Sequence, residues 1–309
     1  MDRAIRERLD GMLLGAFAAD AFALGPHWIY DPRLIEKLYG RPVELTYPQP
    51  DSLHFTKKLG DFTHYGDQML LLLSSLHKNR GFLPDVFARE WHVFMDSYAG
   101  YRDKAMKVTY ENLRQGKQWQ DASSLSNDFS AVGRIAPILY HYGGKFWEAV
   151  PKAIQLVFMT HNNLEVIYAV KFFAEIVYLI LDGMSPSYAI TKIWSEMVDS
   201  NPLKNLVKAG MDQKDQPSCR VIQQFGAQCS LRNALPSTIQ MILRCEEDYM
   251  EALIENVVAG GDSAGRGIVL GMILGAWNGP KAIPETWLKR LIAYHRILEL
   301  MSAIERSSS

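Results

Sequence analysis

Apolar side chains recur every three to four residues along almost the whole chain, and strictly alternating β-branched runs are scarce, so burial is achieved by helix after helix. The fold class read from this spacing is all-α. Helices are predicted at about 4–24, 67–79, 84–98, 102–115, 131–141, 146–158, 163–182, 187–198, 236–258, 263–278 and 284–303. Pro84, Pro186, Pro236 and Pro284 stand where helix starts are expected. Three stretches, Gly11–Leu24, Met69–Leu76 and Ile268–Trp277, are apolar on every side and belong at the centre. Gly11, Gly15 and Ala19 on the first, and Gly267, Gly271 and Gly275 on the last, give smooth stripes that favour close helix packing over a ligand role. Residues 40–63 are irregular, with Pro42, Pro48, Pro50 and Gly60, and are long enough to line a site.

Charge names no partner. Lys+Arg 33 against Asp+Glu 34 leaves a net charge of -1, which argues against nucleic acid and anionic membranes. Cys219, Cys229 and Cys245 have neither disulfide-framework nor metal-ligand spacing, which fits the reducing cytoplasm. The apolar run near the N-terminus is broken by Asp20, so neither a signal peptide nor a membrane span is expected. One domain covering 1–309 is expected, with disorder confined to termini such as Glu305–Ser309.

Asp67, after Gly66, and Asp262, after Gly260-Gly261, are each expected to open one of the central apolar helices. Either alone is explained by N-capping. Together they suggest a site, because carboxylates at two converging helix starts can hold a hard cation such as Mg²⁺. Asp20 has no polar side chain near it in sequence, so it is either paired or faces a cavity. Pro26-His27-Trp28-Ile29-Tyr30-Asp31 could form a pocket wall, with His27 as acid/base candidate. Asn127, Asp128 and Ser130 precede a helix carrying Arg134, a start able to receive phosphate; His161 follows Thr160 in a second polar turn. Capping is the plainer reading of each turn.

In this order the segments resemble the ADP-ribosylglycohydrolase family: Gly11–Ala21 its first helix, Arg134-Ile135-Ala136-Pro137 its middle helix, Thr160-His161 its Thr-His turn, and Gly260-Gly261-Asp262-Ser263 its last metal motif. The resemblance implies an orthogonal helical bundle that uses Mg²⁺ ions to cleave a glycosidic bond to ADP-ribose, free or protein-linked. It also implies ligand-binding roles for Asp20, Gly66, Gln68, Asn127, Asp128, Ser130, Arg134, His161, Gly261, Ser263 and Arg266, catalytic roles for Asp67, Asp262 and His27, and metal ligation by Asp67 and Asp262. The departures fall on the catalytic positions. Thr-Asp-Asp-Thr becomes Tyr65-Gly66-Asp67-Gln68, Gly-Gly-Asp-Thr-Asp-Thr becomes Gly260-Gly261-Asp262-Ser263-Ala264-Gly265, and His27 stands near the family's acidic residue. At most one Mg²⁺ is then expected. Arg266, four residues after Asp262, is expected either to bridge Asp262 and Asp67 in place of a lost metal or to reach solvent. The set is most similar to a divergent branch that includes the J-type crystallins, so a non-catalytic binding or structural role stands beside the hydrolase reading.

Overall fold

The computed structural model describes residues 2–308, and among them there are helices, two isolated β-bridges and no strand. The glycine stripes set the centre. A Cβ on Gly11 would lie 2.1 Å from the Gly275 carbonyl oxygen and one on Gly271 2.3 Å from that of Gly15, so the helices Arg3–Ala23 and Ser263–Asn278 run antiparallel with their backbones touching. Only residues without a Cβ permit this approach. The Tyr249 hydroxyl donates to the Gly15 carbonyl at 2.8 Å and fixes a third helix, Tyr249–Val258, against the pair. Around them one continuous apolar core extends from Leu9 to Ile304. No helix among the described residues is long and apolar enough to cross a membrane.

Several boundaries differ from those predicted. Pro32–Tyr39, Lys204–Met211 and Ser218–Phe225 are helices that the spacing did not single out. Each is only eight residues long, and the last two have no capping side chain, so little local signal marks them. The predicted helix 236–258 is two helices, Leu231–Arg244 and Tyr249–Val258, and Pro236 lies inside the first rather than at a start. The interior proline removes one backbone donor. Ser237 and Thr238 hydroxyls donate to the Ala234 carbonyl in the same turn, at 3.1 and 2.7 Å. The middle helix breaks into Ser130–Gly133 and Ala136–Tyr142 ahead of Pro137. Glu305 and Arg306, expected to be disordered, belong to the closing helix Tyr294–Ser308; Ser309 lies outside the described residues.

The helix carrying Asp67 begins at His64, with the Thr63 hydroxyl accepting from the Tyr65 N–H at 3.1 Å. Asp67 is therefore in the first turn and is not the cap. Residues two apart on a helix point about 200° apart, whereas residues three apart share a face. Tyr65 and Gln68 consequently face inward, and both are buried, while Asp67 turns elsewhere.

Candidate functional site

Four chain segments meet behind a cleft of about 590 Å³ lined by Trp28, Tyr101, Asp103, Asp128 and Cys229, among others. Backbone hydrogen bonds lock two of them together. The Trp28 N–H donates to the Gly261 carbonyl at 2.9 Å, and the Gly261 N–H donates to that of Ile29 at 2.8 Å. Gly261 has φ 71°, and a Cβ there would sit 2.1 Å from the Ala227 carbonyl oxygen, so this turn accepts no side chain. The Ala264 N–H donates to His27 Nδ1 at 3.2 Å, which places the proton of the neutral ring on Nε2. Burial, reinforced by His54 and His64, holds the His27 pKa well below its usual value, so the ring is neutral. Trp28 stacks on it with ring centroids 4.3 Å apart.

Asp262 caps its helix by accepting from the Gly265 N–H at 3.4 Å, and its Oδ1 lies 3.6 Å from His27 Nε2. Its other oxygen has no partner. Burial, then the charge of Asp128, pushes this carboxyl up to about 8, which favours its protonated form. Asp128 accepts from the Ser130 N–H and hydroxyl at 2.9 and 2.7 Å, and burial, then Asp103, raises its pKa. For Asp103, burial raises the pKa, but hydrogen bonding and attraction to His64, whose Nε2 is 3.3 Å away, outweigh burial and leave it below the usual carboxylate range. Unpartnered buried polar atoms gather around these carboxyls: Tyr65 Oη, His27 Nε2, His161 Nε2, Ser263 Oγ and Asp262 Oδ2. The Tyr65 hydroxyl is within electrostatic reach of Asp128, Asp262 and Asp103.

The remaining residues marked in the sequence have other partners. Asp20 accepts from the Thr63 N–H at 2.8 Å and hydroxyl at 2.6 Å, tying the opening helix to the Asp67 helix, and burial pushes it up to about 7. Gly66 makes room for it: a Cβ would lie 2.3 Å from Asp20 Oδ2. The Gln68 side-chain carbonyl accepts from Arg134 at 2.8 Å and from the Trp91 indole at 3.0 Å, while Arg134 also donates to the Thr160 hydroxyl at 2.5 Å. Arg134 thus braces three segments from inside. His161 Nδ1 is 2.8 Å from that same hydroxyl, and Asn127 is exposed and donates to Ser230.

Asp67 is paired with the Lys57 ammonium and accepts from the Tyr98 hydroxyl, each at 2.5 Å, and lines a different cavity of about 420 Å³. Its partners are separate from those of Asp262. The bridging role expected for Arg266 is overturned, and so is the solvent-exposed alternative. Its fully buried guanidinium donates to Asn256 Oδ1 at 2.9 Å, to the Ala227 carbonyl at 3.4 Å and to the Gly260 carbonyl. It fastens the turns behind Asp262. Sequence reasoning did not single out Lys57, Tyr98, Asp103 or the inward face of His64 and Tyr65. Only Asp103 carried a local signal, as a capping residue for the helix Lys104–Arg114.

The donor set does not fit a magnesium centre. A hard dication needs oxygen ligands free to turn toward it, and a pair of ions needs several carboxylates to offset their repulsion. Here Asp67 is neutralised by an ammonium, and Gly66 and Ala264 supply no side-chain oxygen. Among the described residues no group of three or more His, Cys, Asp or Glu side chains is placed to hold a metal ion.

The family described as ADP-ribosylglycohydrolase matches residues 1–308. Crystallin J1B of Tripedalia cystophora is 24% identical, the match covering 98% of this chain and 97% of that one. Crystallin J1A of the same animal is 23% identical over 97% of each. A solved structure titled "ADP-ribosylglycohydrolase-related protein complex" superposes with TM-score 0.72 over 100% of both chains at 19% identity, a likeness of fold.

Proposed function

This chain belongs to the ADP-ribosylglycohydrolase family, and from that premise we propose that it binds a ribosyl ligand in the Trp28–Asp128 cleft without the family's magnesium ions. The observation that supports the reading is a set of unpartnered buried polar atoms on Tyr65, His27, His161, Ser263 and Asp262, which lie beside the wall residues Trp28, Asp103 and Asp128 rather than in the wall itself. Leaving such atoms unpaired costs about 1–3 kcal/mol each, so the fold keeps them at this place for a hydrogen-bonding occupant. Sugar hydroxyls both donate and accept. They can pair with the carboxyl oxygens of Asp103 and Asp128, which line the cleft. In this reading the chain is one domain of residues 1–309 with one ligand site, working in the cytoplasm, where its free cysteines stay reduced.

A hydrolytic role has one observation of its own. The buried carboxyl of Asp262 lies beside His27 with its pKa raised by burial, as a general acid that protonates a leaving group requires. The Lys57 ammonium on Asp67 weighs against the metal-activated water that the family's route requires, so binding, in the manner of a scaffold protein, is the reading supported best.

Calorimetric titration with ADP-ribose and with adenosine, each in EDTA and in excess Mg²⁺, separates these readings. Saturable binding of at least one ribosyl compound, with the same Kd in both buffers, is expected. Absence of binding by both, or binding that needs Mg²⁺, would overturn the proposal. Slow release of free ADP-ribose from an ADP-ribosylated peptide, lost in Asp262→Asn and kept in EDTA, would favour hydrolysis instead.

A further inference from the structure

Resting on the reading that the cleft receives a ribosyl ligand, we infer that its occupant is a riboside without phosphate groups, a sugar joined to a flat ring. The backbone donors that would cradle a phosphate are already taken. At the start of the Ser130 segment, the N–H and hydroxyl of Ser130 are both held by Asp128 at 2.9 and 2.7 Å. At the start of the helix Ser263–Asn278, the Gly265 N–H is held by Asp262 and the Ala264 N–H by His27 Nδ1. A helix start attracts an anion through free N–H groups, and here internal acceptors occupy them.

The charges of the wall point the same way. Asp103 and Asp128 line the cleft, and the ammonium that lines it, Lys104, is exposed. The guanidiniums nearby are turned into the protein: Arg134 to Gln68 and Thr160, Arg266 to Asn256 and two carbonyls. A diphosphate in the cleft would meet two carboxyls, Asp103 and Asp128, with Lys104 the one lining ammonium among the described residues to offset them. Sugar hydroxyls have no such conflict. At the mouth, Trp28 and Tyr101 meet edge to face with centroids 4.9 Å apart, presenting aromatic surface against which a flat ring can lie.

The test titrates adenosine, ribose, ADP-ribose and inorganic diphosphate into the full chain in EDTA. Adenosine is expected to bind at least about tenfold more tightly than ADP-ribose, and diphosphate not at all. Asp103→Asn and Asp128→Asn, which keep a capping oxygen, should each narrow that ratio by strengthening ADP-ribose binding about threefold or more. Trp28→Ala should weaken adenosine more than ribose. Tighter binding of ADP-ribose than of adenosine by the unmodified chain overturns this inference while leaving the ribosyl reading intact. Absence of binding by all four compounds overturns both.

Discussion

At the scale of single residues, the account turns on where charged groups find partners. Arg266 was legible as unusual, since an arginine inside a glycine-rich apolar helix has to be paired, yet its partners lie at residues 227, 256 and 260, which only the fold brings near. Arg266→Leu leaves those acceptors unpaired in the interior and should destabilise the protein by about 3–5 kcal/mol in urea denaturation; a loss under about 1 kcal/mol would contradict the assignment. Titration gives a second expectation. Asp20 and Asp262, at about 7 and about 8, keep protons that the unfolded chain releases near its ordinary value, so their contribution falls as pH rises from about 4 through 8. His27 stays neutral by burial, and so do His54 and His161 at about 3; these three contributions are lost as pH falls below about 6.5. The two limbs place the stability maximum near pH 6.5. Thermal melts should show Tm falling between about pH 6.5 and 8.5, with a shallower fall in Asp262→Asn; a Tm that climbs with pH over that range would refute the burial of these carboxyls in protonated form.

At the scale of elements, most of the long helices could be read from apolar spacing because they bury a stripe or their whole surface. The glycine stripes were legible as packing surfaces, and the structure pairs them, Gly11 with Gly275 and Gly15 with Gly271. Gly15→Ala would place a methyl group against the Gly271 carbonyl oxygen, where an ideal Cβ lies at 2.4 Å, and should cost about 1–3 kcal/mol by forcing the helices apart. An unchanged melting temperature would mean that the two backbones do not touch. Less legible was the rotation of the Asp67 helix. Its start at His64 rather than Asp67 is set by the local Thr63 cap and by Asp20, which holds Thr63 from far away in the chain. That rotation decides which side chains enter the interior: Tyr65 and Gln68 turn inward, and Asp67 goes to Lys57 and Tyr98.

At the scale of the whole molecule, family membership and fold were legible because short motifs survive in order along the chain, whereas the chemistry of the site was not, because it depends on substitutions scattered among them. Lys57 lies in the irregular stretch 40–63, where no periodicity fixes direction, so its approach to Asp67 could not be foreseen. Lys57→Ala should free the Asp67 carboxylate without touching the cleft, shifting affinity for adenosine less than about twofold in calorimetry; a larger loss would join the two cavities into one site. The central claim is that the carboxylates retained from the family no longer serve a metal. Direct titration of Mg²⁺ into the metal-stripped chain at pH 7, with calorimetric detection, tests it. The account predicts no saturable heat at millimolar Mg²⁺. A stoichiometric isotherm abolished by both Asp67→Asn and Asp262→Asn would contradict it.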